Sequence, residues 1–176
     1  MIIGVAGNAG SGKDTVADHL VKNHGFVKVA LADPLKRICR EVFDFSEEQL
    51  WGPSENRNEP DKRYRMDADD HFTAMDQVPE RYLTPRHALQ QLGTEWGRAC
   101  YPNVWVDYAL RVAKKLLEEE TTEVYDARRG LIEPSTMCMV PRGVVIPDVR
   151  FRNEVDAIRA AGGKIWRISR DGAGLQ

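Results

Sequence analysis

The chain opens with a short apolar run, Ile2 to Ala6, β-branched at Ile2, Ile3 and Val5 and closed by Gly7. An unbroken run of this length predicts a strand buried on both faces. From Lys13 to His24 the pattern turns helical, with Val16, Ala17 and Leu20 on one side and Gly25 as a stop. Phe26 to Ala32 predicts a second strand. Asp33-Pro34 then opens a helix to about Phe43, with aspartate as cap and proline at the first helical position. The stretch from Ser46 to Leu83 differs in kind. It is rich in Asp, Glu, Arg, Asn and Pro with weak periodicity, and predicts a surface excursion with short helical pieces. Thr84-Pro85 repeats the cap-then-proline signal, and Ala88, Leu89, Leu92 and Trp96 form the apolar side of the helix it starts. A further helix from Asn103 to about Glu120 carries Val104, Tyr108, Val112 and Leu116. Glu118 to Arg142 is polar again. Val144 to Ile146 predicts a strand, Phe151, Val155 and Ile158 a helix ending at Gly162-Gly163, and Lys164 to Ile168 a last strand.

Strands alternating with long helical crossovers imply an α/β fold in three layers, a parallel sheet with helices on both faces. The expected organisation is one domain, 1–176, with polar excursions at about 46–83 and 118–142. Ligands of such sheets bind beyond the carboxyl ends of the strands, which makes Gly7, Asp33 and Asp148 expected neighbours in one cleft.

Composition narrows this only a little. With 176 residues, 42% hydrophobic and 30% charged, the chain has the profile of a soluble globular domain large enough for a real core. A formal net charge of −2 argues against a nucleic-acid polymer as the main partner. Cys39, Cys100 and Cys138 lack zinc-type spacing and read as free thiols of a reducing cytosol. The start of the chain does not read as a signal peptide, no run is long enough to span a membrane, and a cytoplasmic location is expected.

The chemistry begins at Gly7-Asn8-Ala9-Gly10-Ser11-Gly12-Lys13, which fits G-x-x-x-x-G-K after a predicted strand and before a predicted helix. Glycines let backbone N–H groups converge on phosphate oxygens, the helix N-terminus adds partial positive charge, and Lys13 brings a full charge to the β- and γ-phosphates of a nucleotide such as ATP. The alternative is a glycine-rich turn that binds nothing. Asp14 stands where a serine or threonine usually ligates Mg²⁺, and Thr15 follows. Asp14 could hold the ion through water or cap the helix, or Thr15 could supply the hydroxyl; some metal-linked role is favoured beside a triphosphate.

Across the expected cleft, Asp33 could accept from a sugar hydroxyl or merely cap its helix, and Lys36 and Arg37 lie where a second phosphate group could be held. Arg86, Gln90, Gly93 and Gly97 fall at i, i+4, i+7 and i+11, one face of a helix. Two helical glycines cost about 1 kcal/mol each relative to alanine. The stripe therefore suggests something flat against it, with Gln90 at a base edge and Arg86 at a phosphate, or close helix packing across the glycines. Trp96 reads as core or as a stacking platform, and Arg98 as surface or phosphate ligand. Asp148, after an apolar strand, would touch Mg²⁺ through water. Arg150 could stabilise the transferring phosphoryl group, whereas Arg152 reads as surface. Arg170 lies where such enzymes often hold adenine. The polar excursions, with Arg57, Lys62, Arg63 and Arg65 in one and Arg128 and Arg129 in the other, read either as passive insertions or as segments that close over substrates.

Together these pieces resemble the phage deoxynucleoside monophosphate kinases. The resemblance is carried by Gly7 to Thr15 with its GKDT ending, Ala32 to Lys36, RHALQQLGTEWGR from Arg86 to Arg98, Val104-Trp105, and DVRFRNE from Asp148 to Glu154 with Gly162-Gly163. It spans nearly the whole chain outside the excursions. It implies the P-loop kinase fold, transfer of a γ-phosphate from ATP with Mg²⁺ to a deoxynucleoside monophosphate, Arg86 and Gln90 at the acceptor, and an aspartate after the loop lysine. It also implies a closing helix after Ile168 and, for a phage protein, a host-cell cytoplasmic location. Alternatives are another small-acceptor kinase of the phosphomevalonate or dephospho-coenzyme A type, and a nucleotide-binding module that transfers nothing.

Overall fold

Val144, Val145 and Ile146 alternate between the two faces of a parallel sheet and so divide its core in two. The structure is a computed structural model that describes residues 1–8, 10–66, 81–118, 123–133 and 140–170. The chain forms two compact units, Met1–Pro34 with Gly97–Gln176, and Leu35–Trp96.

The first unit contains β1 (Ile2–Gly7), α1 (Lys13–His24), β2 (Phe26–Lys28), the start of α2 (Asp33–Phe43), α5 (Val104–Leu116), a hairpin of β3 (Val124–Asp126) and β4 (Gly130–Ile132), β5 (Gly143–Val149), α6 (Arg152–Ala160) and β6 (Lys164–Ile168). Its sheet has the order β2-β5-β1-β6, and all three pairings are parallel. On one face, α1 packs Ala17 and Leu20 against Ile3, Val5, Phe26 and Val145. On the other, Val106, Ala109, Val112, Ala113 and Leu116 of α5 and Ile158 of α6 meet Val29, Val144, Ile146 and Val149. This is the three-layer arrangement the alternation of elements implied. β2 runs from Phe26 to Lys28, short of the expected Ala32; the Val29 N–H still donates to Val145 on β5, but the Asp33 N–H donates to the Ala30 carbonyl and turns the chain into α2.

The second unit holds the rest of α2, α3 (Glu47–Trp51), a 3₁₀ turn (Ser54–Asn58) and α4 (Pro85–Gln90). Its core is Cys39, Phe45, Leu50 and Ala88, with Phe43, Tyr64, Leu83, Leu89 and Leu92 around them. Part of the polar stretch expected to be a surface excursion is therefore packed. Ser46 and Gln49 form a reciprocal capping box that starts α3, and Leu50 is fully buried, which contributes about 1.5–3 kcal/mol. Arg63 bridges Asp61 at 2.8 Å and Asp44 at 3.0 Å, and the Tyr64 hydroxyl donates to the Phe43 carbonyl. Residues 67–80 of this stretch lie outside the described residues.

The helix from Pro85 begins as expected, with Thr84 capping the His87 N–H, but from Gln91 to Arg98 it is wound as a π-helix. The looser i→i+5 winding rotates the later turns away from the α-helical face, so Gly93 and Gly97 do not continue the stripe begun by Arg86 and Gln90. A Cβ on Gly93 would sit 3.1 Å from Leu35 Cδ1. Close packing against α2, one of the two readings of that glycine, is what the structure shows.

Candidate active site

β1 delivers the chain into the glycine loop. Gly7 has φ 156°, and a Cβ there would press on Ser11 Oγ at 2.7 Å and on the Ile168 carbonyl of β6, so the approach of loop to sheet edge requires glycine. The loop doubles back with the Ser11 N–H donating to the Asn8 carbonyl at 3.2 Å. Gly12, in the left-handed region at φ 91°, is the N-cap of α1 and supplies no capping side chain. The orphan N–H groups of the first turn and the positive end of the helix therefore face the loop. Among the described residues Ser11 Oγ is buried without a hydrogen-bond partner, an omission that costs about 1–3 kcal/mol and that a phosphate oxygen in the loop would relieve. Ala9 lies outside the described residues. Asp14 and Thr15 are exposed at the start of α1.

Lys13 closes the loop from below. Its side chain is only 11% exposed, and Nζ donates to the Asn8 carbonyl at 2.7 Å and lies 3.8 Å from Asp148 Oδ1. Asp148 reaches that position through a break in β5. Gly4 pairs with Ile146 and Ala6 with Val149, so three steps on β5 face two on β1. Pro147 has no N–H to give the ladder, and the extra residue is accommodated as a bulge, a device that re-aims side chains. Asp148 takes a left-handed φ of 60°. The sequence pattern ended this strand at Ile146; the bulge carries it to Val149.

Asp148 Oδ2 accepts from the Arg150 guanidinium, and this contact raises the Arg150 pKa against the opposing effect of burial. Beyond it, Glu154 on α6 is 1% exposed and pairs with Arg98 at 2.6 Å. Gly7, Asn8 and Ser11 line a small cleft of about 50 Å³ with Arg167, Ile168, Ser169 and Arg170, so Arg170 shares a cleft with the loop. A larger groove of about 500 Å³ lies toward the amino ends of the strands, lined by Met1, Ile3, Leu20, His24, Phe26, Arg142 and Trp166, and contains none of the candidate site residues.

Asp33 is buried, with Oδ2 accepting from the Ala30 N–H at 3.1 Å and from the Tyr125 hydroxyl at 3.0 Å. In the second unit, Lys36 Nζ and the Arg40 guanidinium lie 5.6 and 5.7 Å from the Trp51 ring centre, and Arg37 is half-buried on α2. Arg86 donates to the Ser54 carbonyl, Ser54 Oγ and Asn58 Oδ1 of the 3₁₀ turn. Arg57 donates to the Leu50 and Gly52 carbonyls, and burial together with neighbouring Arg86 lowers its pKa. Two cations thus share a turn with neutral acceptors. Gln90 is exposed, and Trp96 is 56% exposed, which removes the core reading for it. Sequence reasoning missed Glu154 and Tyr125, because their partners lie 56 and 92 residues away. Glu154, as an acid three residues after a helix start, did leave a local capping signal.

The strand–loop–helix with Lys13 at its mouth, on a parallel three-layer sheet, defines the class: a P-loop kinase fold. A protein of Acanthamoeba polyphaga mimivirus named "Putative deoxynucleotide monophosphate kinase" is 34% identical to this chain over 172 residues, which cover 98% of this chain and 75% of the viral protein. No protein-family model matches the chain. At that identity and coverage the chain belongs to the deoxynucleotide monophosphate kinase family, and it is a phosphotransferase. Among the described residues no helix is long and apolar enough to cross a membrane.

Proposed function

We propose that the chain transfers the γ-phosphoryl group of ATP to the phosphate of a deoxynucleoside monophosphate. The observation that carries this reading is the meeting of Lys13, Asp148 and the orphaned Ser11 hydroxyl around one loop. The loop N–H groups of Gly7 to Thr15 would hold the β- and γ-phosphates, Lys13 would neutralise charge between them, and Arg170 would lie along the adenine. An acceptor phosphate oxygen attacks the γ-phosphorus, the bond to the β–γ bridging oxygen breaks, and ADP leaves with that electron pair. The acceptor phosphate is already ionised at neutral pH, so no general base is needed. Arg150 would stabilise charge on the transferring group.

The donor set suits Mg²⁺. The half-exposed Asp148 carboxylate and the Thr15 hydroxyl, with Asp14 beside it, are hard oxygen ligands. Among the described residues no group of three or more His, Cys, Asp or Glu forms a full protein cage. Mg²⁺ typically takes one or two carboxylates and completes its shell with phosphate oxygens and water. When bound, it would offset charge on the β- and γ-phosphates.

On the acceptor side, Arg86 would hold the monophosphate and Gln90 the base edge, with Lys36, Arg37 and the exposed Trp96 as further contacts and Asp33 near the sugar. Arg98 belongs to Glu154 in this reading. The test is coupled ADP release over a panel of deoxynucleoside monophosphates, ribonucleoside monophosphates, phosphomevalonate and dephospho-coenzyme A. Release driven by deoxynucleoside monophosphates is expected; release driven only by a non-nucleotide acceptor, or by none, would overturn it.

A further inference from the structure

Glu154 is a charged side chain where charge is expensive. It is buried on α6, and each oxygen has its own task. Oε1 accepts from Arg98 Nη2 at 2.6 Å, while Oε2 accepts from the backbone N–H groups of Arg150 at 2.8 Å and Phe151 at 3.0 Å. The Arg98 guanidinium lies over the Phe151 ring at 3.9 Å, so it grips the same turn from the outside. Asn153 adds a third anchor by donating to the Pro102 carbonyl and to Asn103 Oδ1 at the head of α5.

A helix cap alone does not account for this arrangement. Phe151 is the N-cap residue and offers no side-chain acceptor. A glutamate reaching back to the cap N–H does its work as well at the surface, and stripping water from a carboxylate and a guanidinium costs several kcal/mol before their attraction is counted. What the pair holds is the segment directly after the bulge. Asp148 sits in a left-handed conformation that few residues other than glycine adopt, and the first N–H groups beyond Val149 are the two that Glu154 accepts.

We infer that Glu154 and Arg98 are positioning residues for phosphoryl transfer: together they fix the turn that presents Asp148 and Arg150 to Lys13. The inference rests on the proposed roles of those three residues. It places the charge of Arg98 in the service of the catalytic loop through Glu154.

The experiment uses Glu154→Gln, Arg98→Met, Arg98→Lys and the double Glu154→Gln/Arg98→Met variant, each checked for folding by thermal melting. Turnover of folded Glu154→Gln should fall about 10- to 100-fold, the scale on which outer supporting groups affect a site, while the KM for the monophosphate stays within about threefold of wild type, since the residues proposed to hold the acceptor are untouched. The double variant should be no slower than the worse single one, because the two side chains act as a unit, and Arg98→Lys should recover part of the loss. Calorimetry supplies a readout apart from turnover. Mg²⁺ should strengthen binding of an ATP analogue less in Glu154→Gln than in wild type. Wild-type turnover in folded Glu154→Gln, or multiplicative losses in the double variant, would overturn the inference and leave the proposed function standing. A wild-type chain that binds ATP but phosphorylates no deoxynucleoside monophosphate would remove the proposed acceptor, and the Mg²⁺ effect in calorimetry would then decide on the pair. A wild-type chain that binds no nucleotide would sink both.

Discussion

Lys13 Nζ lies 3.8 Å from Asp148 Oδ1, across a gap of 135 residues in sequence, and joins the glycine loop to the bulged end of β5. The lysine is nearly buried and its other contact is the neutral Asn8 carbonyl. Its charge is therefore held ready between a carboxylate and the loop rather than spent on the fold. Lys13→Ala should lower turnover by about two orders of magnitude or more, as loss of a transition-state charge contact does, with melting temperature little changed. Near-normal turnover in a folded Lys13→Ala would remove the ATP assignment from this loop.

Gln90 is exposed on the last turn of α4, four residues after Arg86. If it reads the acceptor base, Gln90→Ala should raise the KM for the monophosphate about tenfold, the cost of one good hydrogen bond to an uncharged partner, and leave the KM for ATP alone. Initial rates against each substrate in turn check this. Equal changes in both constants, or in neither, would take Gln90 out of the base site.

The loop and its helix were legible because glycines, a lysine and a strand–turn–helix context are local signals. The helices on both faces of the sheet were legible because apolar strand runs alternating with helical crossovers leave a pattern along the whole chain. The π-helix was not: Gln91 to Arg98 has an ordinary helical pattern, and its winding is a difference in backbone hydrogen bonding that no side chain announces. The packing of Leu50, Tyr64 and Leu83 was hidden because a few apolar residues spread over a long polar stretch show no period until the chain brings them together. Among the site residues, Asp148 was found and its route was not, since the apolar run ends at Ile146 and nothing local shows that the strand continues past Pro147 through a bulge.

Cys39 is buried in the core of the second unit, and burial pushes its thiol up to about 11, from an ordinary value of 9.0. Cys100 is exposed. At pH 8 iodoacetamide should label Cys100 quickly and Cys39 only after unfolding, since the thiolate is the reacting form; mass spectrometry of the labelled peptides resolves the two. The raised pKa also favours the protonated thiol in the folded state. Its stabilisation is present below pH 9 and is lost as pH rises from about 9 to about 11, where the unfolded chain has released a proton that the folded one keeps. Rapid labelling of Cys39 in the native protein would contradict its placement in the core.

Asp61 governs the opposite end of the pH scale. Its side chain is 9% exposed and bound to Arg63 through both oxygens, with Gln49 as a further donor. The Arg63 side-chain hydrogen bonds, first among the causes, hold its carboxyl well below the usual value of 3.8, against the opposing effect of burial. A carboxylate with a depressed folded-state pKa stabilises the fold above its unfolded pKa and loses that stabilisation as pH falls toward the folded one. The network spans Asp44 at the end of α2, Gln49 on α3 and the turn before Tyr64, so its loss should loosen the second unit. Melting measured from pH 6 down to pH 2 should show stability falling below about pH 4 in wild type. Asp61→Asn keeps the shape and one acceptor but has no proton to gain. It should be less stable than wild type at pH 6, and the gap should narrow as the pH drops. A gap of constant size across the range would mean that Asp61 holds this turn by shape alone, and that its charge contributes nothing to the fold.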